Sequence, residues 1–394
     1  MKRLKVLLCL IFIFNCFGCA QEVVKSDEVT LMVCTDLHYL SSSLYDDGDI
    51  FHKLLESNDG KLIERNKEIL DWLVEESIKN KHDVFCMTGD ITFNGEVVSL
   101  LEVKEELLKI EEAGIPVLVI PGNHDISYGY AHSYLGSNYE KVDEVNQEIF
   151  LEEMKEFGYE EAFSKDDRSF SYVYEVDEKN WVIGLDSNTE GNIGIVLQST
   201  INWLETVLKE AKEKGIRVTV LSHQNILKQS DLIYEGYVID NHEEIESLLK
   251  KYNVNLVLSG HSHIQHISKS DNLTDICNES VAIYPLSYNV IKLIDNDYEY
   301  SKVSLDKYSE EAMKRFDENT NRRLDESLSE IDAPKEVIEA MKDFIIEFNR
   351  SSFTDDKEAL KRLKNDERRG YWKEYASDGF RYYYMSLILD GIEE

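Results

Sequence analysis

Short apolar runs that end in turn residues recur along the first three quarters of the chain. The clearest is Val117–Ile120, whose mostly β-branched residues are typical of a strand buried on both faces. Pro121 and Gly122 end this strand, because proline lacks the donor that a sheet needs and glycine tolerates a sharp turn. Similar runs predict strands at 31–34, 84–87, 169–174, 181–185, 218–221, 255–258, 281–284, 290–294 and 298–303.

Amphipathic stretches separate these runs. Apolar residues at helical spacing, with charges between them, predict helices at 61–78, 97–110, 142–157 and 201–212. Alternating strands and helices predict an α/β fold built largely on parallel strands. Beyond about residue 308 the pattern is helical only, with charged amphipathic stretches at 310–328, 334–349 and 356–364 and an aromatic-rich end.

The chain is long enough for one large domain or two modest ones, with 394 residues of which 42% are hydrophobic. The change in pattern near residue 308 favours a main domain followed by a smaller helical one. The predicted organisation is a signal peptide (1–19), a polar tether (20–28), an α/β domain (29–306) and a C-terminal helical subdomain (307–394).

The charge balance argues against a nucleic-acid polymer as partner. Asp and Glu number 77 against 43 Lys and Arg, which gives a formal net charge of −34. Proteins that bind nucleic acids use basic surfaces to neutralise phosphates, and this composition offers the opposite. Most of the acidic residues are expected to form a solvated surface that keeps the protein soluble.

The first residues predict export. A basic start precedes an apolar stretch at 6–14 that is too short to span a bilayer comfortably. The small residues around Cys19 resemble a bacterial lipoprotein signal, in which the cysteine becomes the lipidated first residue of the mature chain. Ordinary cleavage near Ala20 and an uncleaved anchor are the alternatives. We expect a protein anchored by lipid at Cys19 to the outer face of the bacterial cell membrane.

Metal-ligating side chains follow five of the predicted strands. All of them offer oxygen or imidazole donors and none offers a thiolate, a mixture that suits Mn, Fe, Zn or Co better than a structural zinc ion. In open α/β sheets, ligands bind at the carboxyl ends of the strands. The side chains are Asp36 and His38, Asp90, Asn123 and His124, His223, and His261 and His263.

This ordered set resembles the signature of the calcineurin-like metallophosphoesterase superfamily. The resemblance spans residues 29–306, is carried by DxH, GD, GNHD, H and GHxH motifs, and is strongest to class III cyclic nucleotide phosphodiesterases and related exported bacterial phosphoesterases. It implies a four-layer α/β/β/α sandwich, with the C-terminal helices left unexplained. The matching residues are Asp36 and His38, Gly89 and Asp90, Gly122 to Asp125, His223, and Gly260 to His263.

The resemblance also implies a pair of divalent or mixed-valence metal ions bridged by Asp90. A hydroxide shared by the two ions would attack phosphorus in line with the departing oxygen. One ion would be held by Asp36, His38, Asp90 and His263, and the other by Asp90, Asn123, His223 and His261.

Two further residues of the GNHD motif receive roles from the resemblance. His124 would not bind metal but would protonate, or hydrogen-bond to, the departing alkoxide, a contribution of about 10²–10⁴ in rate for a general acid. Asp125 is expected to orient His124.

Tyr128 and Tyr130 are candidates for stacking on a nucleobase, and His132 and His266 are candidates for lining the pocket. Residues of these types more often pack against other side chains or lie on the surface.

Departures from neighbouring families narrow the substrate to a small phosphate ester. Phe93 stands where purple acid phosphatases carry tyrosine, which disfavours a tyrosinate-bound ferric ion. The same region lacks the Asp-Arg-Gly run of protein phosphatases, so a basic phosphate clamp is missing there. We expect hydrolysis of a phosphodiester of the cyclic nucleotide type. The alternatives are a phosphomonoesterase or lipid or cell-wall head-group esterase, and a non-catalytic binding lipoprotein on the same fold.

Overall fold

The structure is a computed structural model that describes residues 28–392 except 231, 233 and 296. The predicted signal peptide, Cys19 and the predicted tether up to residue 27 lie outside the described residues. Residue 28, the last of the predicted tether, already belongs to the first strand.

Strands and helices make up the described residues from 28 to 304, and the described residues beyond 304 are helical. The strands are β1 (Glu28–Cys34), β2 (Val84–Thr88), β3 (Val117–Ile120), β4 (His132–Leu135), β5 (Asn138–Lys141), β6 (Ser164–Lys165), β7 (Tyr172–Asp177), β8 (Asn180–Leu185), β9 (Asn188–Thr189), β10 (Asn192–Ile193), β11 (Arg217–Ser222), β12 (Leu256–Ser259), β13 (His266–Ser270), β14 (Leu273–Cys277), β15 (Ser287–Ile294) and β16 (Asp297–Ser304). The helices are α1 (Asp49–Ser57), α2 (Asn66–Asn80), α3 (Val97–Glu112), α4 (Gln147–Met154), α5 (Gln198–Lys214), α6 (His242–Lys251), α7 (Ser309–Leu328), α8 (Lys335–Phe353), α9 (Lys357–Lys364), α10 (Arg368–Tyr375) and α11 (Phe380–Gly391).

Two sheets form the centre of the main domain. The first has five strands in the order β16-β15-β1-β2-β3, and the second has seven in the order β13-β14-β12-β11-β8-β7-β6. Strands β1, β2 and β3 run parallel, as do β8, β11, β12 and β14. The predicted antiparallel pair is present as β7 and β8.

Apolar side chains of the two sheets pack against each other, and helices cover the outer faces. Leu118 of the first sheet and Leu221 of the second are fully buried in one cluster that also contains side chains of α2 and α3. A second cluster joins α5 and α6 to the other face of the seven-stranded sheet, through residues such as Leu204 and Ile245. The four-layer α/β/β/α arrangement is therefore confirmed.

The C-terminal helices have a hydrophobic cluster of their own. It contains Leu324 of α7, Phe344 and Phe348 of α8, Leu360 of α9 and Trp372 of α10, all of them buried. These helices contact the main domain as well, since the backbone N–H of Gln265 donates to the Phe353 carbonyl over 2.9 Å. The domain boundary expected at residue 306 stays a prediction. Among residues 28–392, no helix has the length and apolarity needed to cross a membrane.

Several expected elements differ from the structure: the helix expected at 61–78 begins only at residue 66, and the strand expected at 169–174 is found at 172–177. Residues 281–284 form a turn instead of a strand, because Val281 and Ile283 are buried while the backbone bonds to separate loops: Val281 donates to the Thr35 carbonyl and Leu62 donates to the Ala282 carbonyl. The helix expected at 142–157 is shorter, and α4 begins only at residue 147. The reason is a cap, since the Asn146 side chain accepts a hydrogen bond from the backbone of Ile149.

Candidate metal centre

The loops that follow strands of both sheets meet at one edge of the sandwich. After β1 and β2, Asp36 N–H donates to the Gly89 carbonyl over 3.1 Å, and His38 N–H donates to the Asp90 carbonyl over 2.9 Å. His261 follows β12 of the second sheet, and its backbone N–H donates to a carboxylate oxygen of Asp36 in the first sheet's loop over 2.9 Å. These bonds fix the loops against one another, so the polar side chains predicted from the sequence converge.

Five residues at this edge have left-handed backbone conformations that side chains usually avoid. The φ angles are 54° for Asp36, 48° for His38, 48° for Asp90, 68° for His261 and 60° for His263. Each such conformation costs on the order of 1 kcal/mol or more for a residue with a Cβ. The surrounding hydrogen bonds hold this strain at the place where side chains converge.

A first group of possible metal ligands consists of Asp36, His38, Asp90 and His263, whose ligand atoms all lie within 4.8 Å of one another. The Nε2 atoms of His38 and His263 are 3.1 Å apart. The Nε2 atom of His263 lies 3.3 Å from Asp36 Oδ1, and that of His38 lies 3.6 Å from Asp90 Oδ2.

A second group shares Asp90 with the first and adds His223 and His261. The Nε2 atom of His223 lies 3.4 Å from Asp90 Oδ1 and 3.2 Å from His261 Nδ1. The same nitrogen lies 3.1 Å from the side-chain oxygen of Asn123. Asn123 therefore faces this group, as the motif predicted.

Backbone carbonyls orient two of these imidazoles. His223 Nδ1 lies 2.8 Å from the Thr88 carbonyl, and His261 Nε2 lies 2.7 Å from the Gly236 carbonyl. A carbonyl only accepts, so each of these nitrogens carries the proton and donates it. When each ring is neutral, its opposite nitrogen presents a lone pair to the cluster, the arrangement that metal-binding histidines commonly have.

The donor set fits a pair of divalent cations. The ring nitrogens of two histidine pairs lie 3.1–3.2 Å apart, and a metal bound to both nitrogens of a pair at about 2.0–2.1 Å would bring its ligands to similar separations. The Oδ1 atom of Asp36 is buried and has no hydrogen-bond partner among the described residues. A cation would satisfy this orphaned oxygen.

Burial and mutual attraction shape the charges in the cluster. Burial opposes ionisation of Asp90, yet nearby histidines, His223 first among them, hold the pKa of this carboxyl well below its usual range. Burial also opposes charging of His223, but Asp90 raises the pKa of His223 to about 9. For His38, burial and the nearby Lys61 ammonium lower the pKa. Because a ligating imidazole must be neutral, metal binding at His223 would release a proton.

His124 lies beside the cluster and is held through its Nδ1 atom. This nitrogen lies 2.9 Å from the Phe93 carbonyl and 3.0 Å from Asn94 Oδ1. Nδ1 therefore carries the proton that it donates. The other ring nitrogen, Nε2, remains available to contact a substrate. The ring packs on Tyr128 with centroids 4.2 Å apart. Burial lowers the pKa of His124.

The role expected for Asp125 is corrected by the structure. Its fully buried carboxylate accepts hydrogen bonds from the backbone of Ile91, Thr92 and Gly122 and from the Thr92 hydroxyl. Within the described residues no hydrogen bond joins it to the His124 ring, which Phe93 and Asn94 orient instead. Asp125 thus ties the loops after β2 and β3 together. Burial and the neighbouring Asp90 raise the pKa of Asp125 to about 6.

A cavity of about 830 Å³ opens from this cluster. Asp90, His124, His261 and His263 line the cavity together with residues of the C-terminal helices. Tyr128 and His266 line the cavity, whereas Tyr130 and His132 are not among its lining residues. The lining residues from the C-terminal helices include Phe316, Arg323, Phe353, Leu360, Arg381, Tyr384, Leu387 and Ile388.

The sequence did not reveal the cationic lining of this cavity. Lys61 precedes α2 in a stretch whose pattern predicts only an amphipathic helix, and Arg323 and Arg381 lie in the C-terminal helices that the family resemblance leaves unexplained. No motif marks these positions. The basic side chains near a cluster of metal ligands, in a chain with a net charge of −34, become visible only in three dimensions.

Comparison with known proteins agrees with the fold. The family model described as calcineurin-like phosphoesterase matches residues 29–265. A dimetal phosphatase from Danio rerio is 14% identical, with 70% of this chain and 98% of that chain covered and a TM-score of 0.51. A purple acid phosphatase, PPD1, from yellow lupin seeds is 13% identical, with 71% and 52% covered and a TM-score of 0.45. No curated protein matches the chain.

The fold and the two groups of possible metal ligands agree with the class of protein that the family model describes. Since the family model covers more than half of the chain, the protein belongs to the calcineurin-like phosphoesterase family. Members of this family depend on two metal ions and hydrolyse phosphoesters.

Proposed function

We propose that the protein is a metal-dependent phosphodiesterase that acts on a small phosphodiester of the cyclic nucleotide type. The observation that carries this proposal is the gathering of a full set of oxygen and imidazole ligands, together with a non-ligand histidine, at the end of one cavity. A protein that only binds would not need two metal sites that share a carboxylate beside a group able to move a proton.

The proposal assigns the metal ligands from the two groups that converge on Asp90. When bound, two such ions polarise a phosphoryl oxygen and lower the pKa of a coordinated water. Mn, Fe, Zn and Co all suit these donors. One ion would be held by Asp36, His38, Asp90 and His263, and the other by Asp90, Asn123, His223 and His261.

His124 would deliver a proton to the departing oxygen of the substrate. Its Nδ1–H is committed to the Phe93 carbonyl, so Nε2 is the atom that would carry and transfer this proton. The protonated ring would also attract the anionic phosphate. Asp125 would support the reaction indirectly by holding the loops that carry Asp90 and His124 in place.

Cavity size and aromatic lining support a nucleotide-sized substrate. A volume of about 830 Å³ lies within the range of pockets that enclose small molecules, roughly 300–1,000 Å³. Tyr128, beside His124, and Tyr237, beside His261, both line the cavity, and a base could stack on their rings.

A phosphoester with an apolar portion is the second candidate. Leu360, Leu387 and Ile388 of the C-terminal helices give the far end of the cavity an apolar lining. We also propose, from the sequence, export and lipid anchoring at Cys19, which would place the site near the head groups of membrane lipids. A lipid or cell-wall head-group ester would then be within reach.

The decisive experiment is a metal-reconstituted assay with paired substrates. Protein loaded with Mn²⁺, Fe²⁺, Zn²⁺ or Co²⁺ is compared with chelated protein on bis(p-nitrophenyl) phosphate, p-nitrophenyl phosphate, 3′,5′- and 2′,3′-cyclic AMP and a glycerophosphodiester. Metal-dependent turnover of diesters, including a cyclic nucleotide, is the expected result. A preference for the monoester would replace the substrate class, and inert protein with two bound metals would contradict the enzymatic proposal.

Asp90→Asn tests the shared carboxylate in the same assay. Because Asp90 belongs to both ligand groups, the variant should lose bound metal and activity together. We expect fewer than two metals per chain by elemental analysis and a loss of activity of at least about 10²-fold. Asp297→Asn, an exposed position on β16, is the matched control. A fully metallated and active Asp90→Asn variant would rule out the bridging assignment.

A further inference from the structure

Lys61 is a buried cation at the end of the cavity that holds the metal ligands. Only 6% of the surface of Lys61 is exposed, and Lys61 lines the cavity together with Asp90, His124, His261 and His263. Lysine is almost never this buried unless its charge is paired. The charge of Lys61 therefore needs a partner.

The protein supplies only a weak partner for this charge. The nearest carboxylate oxygen belongs to Asp59 and lies 3.6 Å from Lys61 Nζ, beyond normal hydrogen-bond distance. Asp59 also forms an ion pair with Arg323, so its single negative charge is shared by two cations. No hydrogen bond from Lys61 Nζ is formed within the described residues, and an ammonium has three donors.

The C-terminal subdomain holds the loop on which Lys61 lies. Gly60 allows the sharp turn before Lys61 with a φ of +97°, and a Cβ built on Gly60 would lie 3.7 Å from the α-carbon of Phe316 on α7. From α7, Arg315 donates to the Lys61 carbonyl and pairs with Glu64, while Arg323 pairs with Asp59. Contacts from α7 thus lie on both sides of Lys61.

We propose that Lys61 binds a non-bridging oxygen of the substrate phosphate, and that α7 holds Lys61 in place for this purpose through Arg323 and Asp59. An anionic phosphate at the metal ligands would provide the charge partner that the protein lacks, and hydrogen bonds between charged groups are the strong ones. Lys61 would thereby supply the basic phosphate clamp that is missing after Asp90. This inference rests on the proposed phosphoesterase function and gives the C-terminal subdomain a part in it.

Lys61→Met removes the charge while nearly preserving the length of the side chain. In the full chain loaded with Mn²⁺, we expect kcat/KM for bis(p-nitrophenyl) phosphate to fall about 10²-fold, the loss typical of one donor to a developing oxyanion. The dissociation constant of inorganic phosphate, measured by calorimetry, should rise at least about tenfold. Metal content should stay at two ions per chain, and Lys61→Arg should recover part of both losses.

Lys53→Met on α1 is the matched control, because this lysine is exposed and lies outside the cavity lining. Equal phosphate affinity and equal kcat/KM in Lys61→Met and the parent protein would overturn the inference while leaving the proposed function intact. If the parent protein turns over no phosphoester, the proposed function fails, and phosphate affinity alone then decides: unchanged affinity in Lys61→Met overturns the inference, and the tenfold loss supports it.

Arg323→Gln tests the positioning role of α7. It should weaken phosphate binding in the parent background, but it should have no further effect in Lys61→Met, because Arg323 acts through Lys61. Arg323→Lys should restore part of the affinity. Arg322→Gln, at the neighbouring exposed arginine that bonds to Asn319, is the control. An equal loss of phosphate affinity from Arg323→Gln in both backgrounds would show that Arg323 does not act through Lys61.

Discussion

At the scale of single residues, the protonation pattern of His124 is set by its immediate neighbours. The Phe93 carbonyl can only accept, so it assigns the proton to Nδ1 and leaves Nε2 as the atom able to exchange a proton with substrate. Since His124 is not in either ligand group, its removal should separate proton transfer from metal binding.

His124→Ala should therefore affect substrates according to their leaving group. An alkoxide needs protonation as it departs, whereas p-nitrophenolate leaves without help. We expect a loss of about 10²–10⁴ in kcat on an alkyl diester and a much smaller loss on bis(p-nitrophenyl) phosphate, with two metals retained. His52→Ala, at an exposed histidine paired with Asp47, serves as the control. Equal losses on both substrates would argue against the acid role.

At the scale of secondary-structure elements, the loops after β2 and β3 are packed so closely that there is no room for a side chain at Gly122. Gly122 follows β3, and a Cβ built there would collide with the backbone nitrogen and carboxylate of Asp90 after β2. The same loops are joined by Asp125, which accepts hydrogen bonds from both. The distance between β2 and β3 thus sets the position of the shared carboxylate.

Gly122→Ala should force these two loops apart and displace Asp90. Its backbone conformation is not left-handed, so the effect would come from the collision and not from strain at position 122. We expect at least about a tenfold weaker metal affinity, measured by competition with a chelator, and a lower melting temperature. Gly370→Ala in α10, where an added Cβ meets nothing within 4 Å, should leave metal affinity unchanged. Parent-like metal affinity in Gly122→Ala would contradict the packing argument.

At the scale of the whole molecule, a buried carboxyl lies where the main domain meets the C-terminal helices. Burial raises the pKa of Glu279 to about 7, although Lys302 opposes this, with its Nζ atom 3.5 Å from Glu279 Oε2. Lys302 also donates to the Thr354 carbonyl at the end of α8 over 2.7 Å. The ionisation of Glu279 should thus affect the stability of the folded protein.

The sign of the effect follows from the two pKa values of Glu279. Between the ordinary value of 4.5 and about 7, the folded protein keeps a proton that the unfolded chain has lost, so stability falls as pH rises through this window. Glu279→Gln removes this dependence. The variant should therefore gain on the parent protein between pH 4.5 and 7, by up to about 3 kcal/mol in the free energy of unfolding.

Urea unfolding of both proteins at pH 5, 6, 7 and 8 measures this gain. Glu299→Gln, an exposed carboxyl on β16, should show no comparable difference. A constant difference between Glu279→Gln and the parent across the pH range would show that Glu279 does not titrate within it.

The sequence by itself determined the strands that precede the candidate metal ligands (β1, β2, β3, β11 and β12), the order of those ligands and the fold family, but not β13 and β14 of the second sheet. A strand buried on both faces must be apolar, and the chain must turn where the strand ends. The local sequence pattern therefore predicts β3 and the polar residues that follow it. The helical nature of the C-terminal region followed from the same local periodicity. The local pattern wrongly predicted a strand at 281–284. These buried apolar residues form a turn, because their backbone bonds to loops that are distant in sequence.

Only the tertiary structure decided which groups face one another. Asp125 is adjacent to His124 in sequence, yet its carboxylate is directed to the backbone of Thr92. Asp59 and Arg323 are 264 positions apart and form an ion pair beside the metal ligands. Hydrogen bonds and ion pairs of this kind join side chains that no local pattern connects, because packing of the C-terminal helices onto the sandwich brings them together. That packing places Lys61 in the cavity wall.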